Sequence, residues 1–133
     1  MPSILLIEDD GNLRETIAAG LTHEGHDVIQ AEDGESALRM IKEYPVDAVV
    51  TDIVMPNMDG LEVIKRLRAA IPNLAIVAMS GGPALNAPLY LKIAVAMGAD
   101  RTIRKPFMLQ EITEAVDEIL KIRRTAPDKP PPN

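Results

Sequence analysis

Two acidic residues, Glu8 and Asp9, follow directly on the apolar run Ile4-Leu5-Leu6-Ile7, and a third, Asp52, follows Ala48-Val49-Val50-Thr51. Ser80 stands after the apolar stretch from Ala75 to Met79, and Lys105 after Thr102-Ile103-Arg104. Carboxylates brought together repel and resist ionisation unless a cation sits among them. A hard divalent ion resolves that conflict, because magnesium takes a small number of carboxylates, keeps several waters and fills its octahedron with phosphate oxygens. A lysine ammonium pairs with a carboxylate or a phosphate oxygen, and a serine hydroxyl can bond to another oxygen. Metal, Lys105 and Ser80 would together satisfy the equatorial oxygens of a phosphoryl group captured by an Asp52 oxygen. Phosphoryl transfer asks little of a protein beyond such positioning and charge stabilisation.

That chemistry requires the ionic positions to share one edge of a fold. Ile4–Ile7 reads as a strand covered on both faces. Leu13, Ile17, Ala18 and Leu21 recur at helical spacing, and Gly25 offers a stop after Glu24. The unit then repeats: Val28 to Ala31 is a strand, Asp33 caps a helix carrying Ala37, Leu38 and Ile41, and Pro45 closes it. Ala48 to Thr51 is a third strand ending at Asp52, after which Pro56, Asn57, Asp59 and Gly60 mark a loop, with Asp59 as a further cap. Leu61, Ile64, Leu67 and Ile71 line the next helix, ended by Pro72-Asn73 before the strand from Ala75 to Met79. Tyr90, Ile93, Ala94 and Met97 give a shorter helix that Gly98 terminates, and a weak strand, Thr102 to Arg104, ends at Lys105-Pro106. The last helix carries Leu109, Ile112, Val116, Ile119 and Leu120 on one side, with Lys121, Arg123 and Arg124 opposing the dipole at its end.

Strands alternating with helices imply an α/β fold, a doubly wound five-stranded parallel sheet with helices on both faces. In the flavodoxin-like (βα)5 strand order 2-1-3-4-5, the first and third strands are neighbours and the topological switch lies between them, where ligands bind beyond the carboxyl ends. Glu8, Asp9 and Asp52 would then converge.

A chain of 133 residues with 47% hydrophobic content can build one good core and has no room for a second large domain. The net charge of −6 and the 2% aromatic content argue against direct nucleic-acid binding, which wants a basic face and stacking platforms. There is no cysteine, which excludes disulfides and thiolate metal sites. The first apolar run is too short for a signal peptide or membrane span, so the expectation is a soluble cytoplasmic protein with no membrane partner. The expected organisation is one domain over residues 1–124 and a disordered Pro-rich tail over 125–133.

The stretch from Ile4 to Asp10, the stretch from Thr51 to Gly60, Met79-Ser80-Gly81, Gly98-Ala99-Asp100 and Lys105-Pro106-Phe107 resemble, in order and spacing, the receiver domains of two-component signalling. The resemblance runs from about Ile4 to Arg124. It implies that Asp52 is the phospho-acceptor, Asp9 a direct Mg2+ ligand, Glu8 its acidic partner acting through water, and the Val54 carbonyl a backbone ligand. Ser80 would be the hydroxyl that swings toward the phosphoryl group, Lys105 the cation that pairs with it, and Lys105-Pro106 a cis peptide bond. The phosphoryl group would come from a phosphohistidine on a sensor histidine kinase or histidine phosphotransfer protein and be lost later by hydrolysis. The protein would promote its own phosphorylation and slow autodephosphorylation without being a turnover enzyme. Phosphorylation would shift the population of the face made by helix 4, strand 5 and helix 5, which binds a downstream protein or forms a weak dimer, the alternative being a monomer. With no effector domain expected after Arg124, output would come through another protein, or the chain would act as a phosphate shuttle or sink.

The sequence departs from that pattern in three places. Many receivers carry an aromatic switch residue three positions before the lysine, where Thr102 stands. The segment from Gly81 to Pro88 is rich in backbone breakers and is expected to be a mobile loop that orders on phosphorylation. Val54 and Gly82, two residues after the acceptor and the hydroxyl, cannot orient an attacking water, so hydrolysis should be slow.

Plainer roles account for other residues. Asp10 is read as a helix cap, Met55, Met58 and Met79 as packing, His23 and His26 as solvated, and Lys65, Arg66 and Arg68 as a helix's wet face. A phosphoaspartate hydrolase would usually carry a second carboxylate where Val54 stands. A flavin- or nucleotide-binding module would need a glycine-rich phosphate loop after the first strand, and Glu8-Asp9-Asp10 is there instead. A degenerate, purely protein-binding receiver sits poorly with intact Asp9, Asp52 and Lys105.

Overall fold

The computed structural model describes residues 1–55, 59–81 and 87–125, the side chains at 87, 88, 90 and 123–125 excepted. Its elements alternate as β1 (Ser3–Ile7), α1 (Gly11–His23), β2 (Asp27–Ala31), α2 (Gly34–Glu43), β3 (Ala48–Asp52), α3 (Gly60–Ala70), β4 (Ala75–Ser80), α4 (Ala87–Met97), β5 (Arg101–Arg104) and α5 (Leu109–Thr125). The strands form one sheet in the order β2-β1-β3-β4-β5, every neighbouring pair parallel. This is the expected doubly wound fold, with its switch point between β1 and β3.

The near-continuous apolar strands feed two cores, because side chains alternate across a sheet. Ile4, Leu6, Val50, Val77 and Met79 pack on one face with Ile17, Leu21, Ile112 and Val116 of α1 and α5. Leu5, Ile7, Val49, Ile76 and Ala78 pack on the other with Ala37, Ile64, Leu67 and Ala94 of α2, α3 and α4. Register aligns the carboxyl ends: Ile7 pairs with Thr51, Asp52 with Met79, and Ser80 with Arg104.

Three helices start on aspartate caps at this same edge. Asp10 accepts from the Asn12 and Leu13 amides (3.0 and 3.2 Å), Asp33 from Ser36 (2.8 Å) and Asp59 from Leu61 (2.9 Å). The Ser36 amide holds the Asp33 carboxyl below its ordinary range, since it bonds the charged form. At the opposite end, Gly25 leaves α1 at φ +94 and Gly98 leaves α4 at φ +126, both left-handed values that glycine adopts without strain.

Two expectations need correction. Arg68 does not belong to a wet face: its guanidinium donates to the Pro72, Leu74 and Gly98 carbonyls (2.7, 2.6 and 2.5 Å) and reaches Asp100 Oδ2 (3.1 Å), which also accepts from the Ile76 amide (2.8 Å). Orphan carbonyls at helix and strand ends attract such a donor fork. His26 is 7% exposed, not solvated, because α5 passes over the turn and brings Asp117 Oδ1 to 3.2 Å from its Nε2. His23 is exposed, as are Lys65 and Arg66. In α4, Ala94 is buried and Leu91 packs against the core, while Met97 faces outward. Met55 and Met79 are buried, as packing residues should be. Met58, the segment 82–86 and the Pro-rich stretch 126–133 lie outside the described residues.

Candidate functional site

The site is assembled from strand ends. Glu8 follows β1, and its amide extends the ladder by donating to the Ala31 carbonyl (3.1 Å). Its side chain is 1% exposed; Oε1 accepts from Lys105 Nζ (2.9 Å) and Oε2 from the Asp10 amide (3.1 Å). Asp9, the next residue, is exposed at the mouth. Asp52 closes β3, buried, with Oδ2 accepting from Lys105 Nζ (2.9 Å) and Oδ1 from the Val54 amide (3.2 Å). One carboxylate oxygen from each of Glu8, Asp9 and Asp52 lies within 4.8 Å of the other two.

Backbone contacts hold these ends in place. The Thr51 hydroxyl donates to the Asp52 carbonyl (2.9 Å), the Ile53 amide to the Met79 carbonyl (2.9 Å), and the Gly60 amide to the Ile53 carbonyl (2.8 Å). A Cβ on Gly60 would overlap the backbone of Asp52 and Ile53, so only glycine lets the start of α3 sit against the acceptor strand. The Lys105 amide donates to the Ser80 carbonyl (2.8 Å), and a Cβ on Gly81 would collide with the Lys105 stem. The Lys105-Pro106 peptide is cis, as the resemblance implied.

Electrostatically the cluster is over-supplied with negative charge. Burial pushes the Glu8 carboxyl up to about 7 and the Asp52 charge adds to it, against the opposing hydrogen bonds from Lys105 and the Asp10 amide. For Lys105, burial disfavours the ammonium, but hydrogen bonds to Glu8 and Asp52 outweigh it and leave the group above its ordinary value. The donor set suits a hard cation: all oxygen, carboxylate-rich and open on the Asp9 side. Ser80 adds a second feature, because its hydroxyl is fully buried at this edge with no hydrogen-bond partner among the described residues. An unpaired buried hydroxyl costs about 1–3 kcal/mol, which a ligand oxygen would recover.

Each residue expected at the edge is found there. Val54 projects its side chain outward, 54% exposed, beside the acceptor. Thr102, on β5, pairs with Ala78 of β4 and is half-buried. Sequence reasoning did not find that Glu8 shares Lys105 with Asp52, nor that Arg14 Nη1 donates to the Glu8 carbonyl (2.8 Å). The helical spacing of Arg14 carried no hint of a turn to bind.

The three carboxylates and the lysine thus gather beyond the carboxyl ends of β1 and β3, at the switch point where open α/β sheets bind their ligands. Residues 4–117 match the family described as response regulator receiver domain, and the chain belongs to that family. It is 36% identical over 128 residues to "Response regulator MprA" of Mycobacterium sp. (strain KMS), covering 96% of this chain and 54% of that protein. The chain thus spans about half the length of the curated relatives it matches. Among solved structures it is similar to the receiver domain of Francisella response regulator 1452 (29% identity, TM-score 0.81, covering 91% of this chain and 98% of that one). It shares its fold with a CheY-like receiver domain protein from Methanospirillum hungatei JF-1 (23% identity, TM-score 0.86, covering 96% and 99%). Among the described residues no helix is long and apolar enough to cross a membrane.

Proposed function

We propose that this receiver takes a phosphoryl group onto Asp52 from a phosphohistidine on a sensor histidine kinase or phosphotransfer protein. The observation that carries the reading is the convergence of Glu8, Asp9 and Asp52 within 4.8 Å, with Lys105 Nζ 2.9 Å from the Asp52 oxygen. Asp9 and Asp52, the Val54 carbonyl and, through water, Glu8 would hold Mg2+. When bound, the ion neutralises the carboxylates and the negative charge on the transferred group. An Asp52 oxygen bonds to phosphorus as the phosphorus–nitrogen bond to the donor breaks, and its electron pair returns to the imidazole. Lys105 then pairs with one phosphoryl oxygen, and the Ser80 hydroxyl turns to donate to another.

Satisfying Ser80 draws β4 toward the phosphoryl group and biases the α4–β5–α5 face toward a state that a downstream protein reads. Thr102 leaves that switch without an aromatic rotamer, which keeps a phosphate shuttle or sink as the second reading. We place the phospho-accepting unit within residues 1–124 and its work in the cytoplasm. Acetyl phosphate labelling followed by peptide mapping tests the reading. One phosphoryl group on the Asp52 peptide, absent when labelling is carried out in EDTA, supports it; labelling elsewhere, or labelling indifferent to EDTA, contradicts it.

A further inference from the structure

We propose that Arg14 is a positioning residue for the acidic cluster, holding the β1–α1 turn so that Glu8 and Asp9 present their oxygens to a divalent cation. This rests on the reading of that cluster as a cation site. Arg14 lies in the first turns of α1 and touches none of the three carboxylates. Its guanidinium instead bridges two backbone-bearing elements. Nη1 donates to the Glu8 carbonyl (2.8 Å) and Nε to the Gln30 side-chain oxygen on β2 (3.3 Å).

The turn it closes is short and pinned on both sides of Asp9. Before Asp9, the Glu8 amide is held by the Ala31 carbonyl (3.1 Å) and the Glu8 carbonyl by Arg14. After it, the Asp10 amide donates to Glu8 Oε2 (3.1 Å), the Asp10 side chain caps α1, and the Asp10 carbonyl accepts from the Arg14 amide (2.8 Å). No hydrogen bond or ion pair holds the Asp9 carboxylate itself among the described residues. Its direction is therefore set by the backbone of the turn. Removing the Arg14 fork frees the Glu8 carbonyl and lets the peptide plane leading into Asp9 rotate. The caps of α1 and the sheet ladder stay intact, so the consequence falls on the carboxylate geometry and not on the fold.

A planar fork is needed for this role because one side chain must satisfy two acceptors on different elements in fixed directions. A lysine's donors all radiate from one nitrogen on a flexible stem, so it cannot reproduce the fixed directions of Nη1 toward the Glu8 carbonyl and Nε toward Gln30. Partners that orient ligand-bearing groups in metal sites change affinity by about 10–100-fold when removed.

The test uses the full chain and Mn2+ as the probe, followed by electron paramagnetic resonance, with Mg2+ as competitor and a thermal melt on every variant. Arg14→Ala should weaken Mn2+ and Mg2+ about tenfold, with the melting temperature in EDTA shifted only slightly. Arg14→Lys should give a partial loss, and it carries the test if Arg14→Ala fails to fold. Wild-type binding together with unchanged affinity in the variant that folds would overturn the proposal alone. A wild type that takes up neither ion overturns the reading of the cluster, and this proposal with it.

Discussion

Lys105 Nζ lies 2.9 Å from Asp52 Oδ2 and 2.9 Å from Glu8 Oε1, so one ammonium is shared by two buried carboxylates that come from different strand ends. Replacing it by methionine leaves both carboxylates without their counter-charge. Breaking a buried pair on one side costs about 3–5 kcal/mol, and the open mouth of this site puts the expected loss near the lower end. Urea denaturation of Lys105→Met in EDTA at pH 7 should show that loss. At pH 5 the deficit should shrink, since Glu8 can then take a proton. An equal deficit at both pH values contradicts the account.

The raised Glu8 carboxyl sets the sign of a pH dependence in the wild type. Its folded value of about 7 exceeds the ordinary 4.5, so the folded state binds more protons than the unfolded chain between these values. The associated stability is fully present below 4.5 and is lost as pH rises to about 7. Relative to Glu8→Gln, wild type in EDTA should therefore weaken over that window by on the order of 2–3 kcal/mol. Saturating Mg2+ should flatten the difference, because a cation stabilises the ionised cluster. Denaturation curves in which wild type gains on Glu8→Gln between pH 4.5 and 7 contradict the assignment.

Asp33, outside the acidic cluster, tests the opposite sign. Its carboxyl is lowered by the Ser36 amide, so the stabilisation is present above the ordinary 3.8 and disappears as pH falls through the depressed value. Asp33→Ala should cost about 1 kcal/mol at pH 7 through loss of the α2 cap, and the gap to wild type should close below pH 3.8. Equal stability at pH 7 would count against the cap.

The features legible in the sequence were those encoded within short spans. β1, β3 and β4 announced themselves as continuous apolar runs, and Asp10, Asp33 and Asp59 as caps before helical periodicity. The site was legible because Asp52 and Ser80 end strands and Glu8, Asp9 and Lys105 directly follow them, and parallel topology sends such ends to one edge. What stayed hidden depends on partners remote in sequence. His26 is buried by Asp117, 91 residues later, and Arg68 bonds a carbonyl 30 residues on, so no local pattern marks either. The outward face of α4 was equally opaque: Leu89 and Val95 are exposed beside buried Ala94, and a sequence apolar almost throughout, Lys92 excepted, gives periodicity little to choose between.

Val54 leaves the acceptor without a side chain able to orient water, although its amide holds Asp52 Oδ1 at 3.2 Å. Val54→Asn keeps that amide and adds a hydrogen-bonding group at an exposed position. Loss of the phosphoryl group, followed by mass spectrometry after donor removal, should quicken by about tenfold, the worth of one hydrogen bond made in the transition state. An unchanged decay rate contradicts this reading of the site.

The central claim is that Asp52, and no other residue, accepts the phosphoryl group. Intact-mass measurement after incubation with acetyl phosphate and Mg2+, on wild type and Asp52→Asn side by side, tests it most directly. The account predicts the mass of one added phosphoryl group in wild type and none in the variant. Equal uptake by both, or uptake by neither, contradicts it.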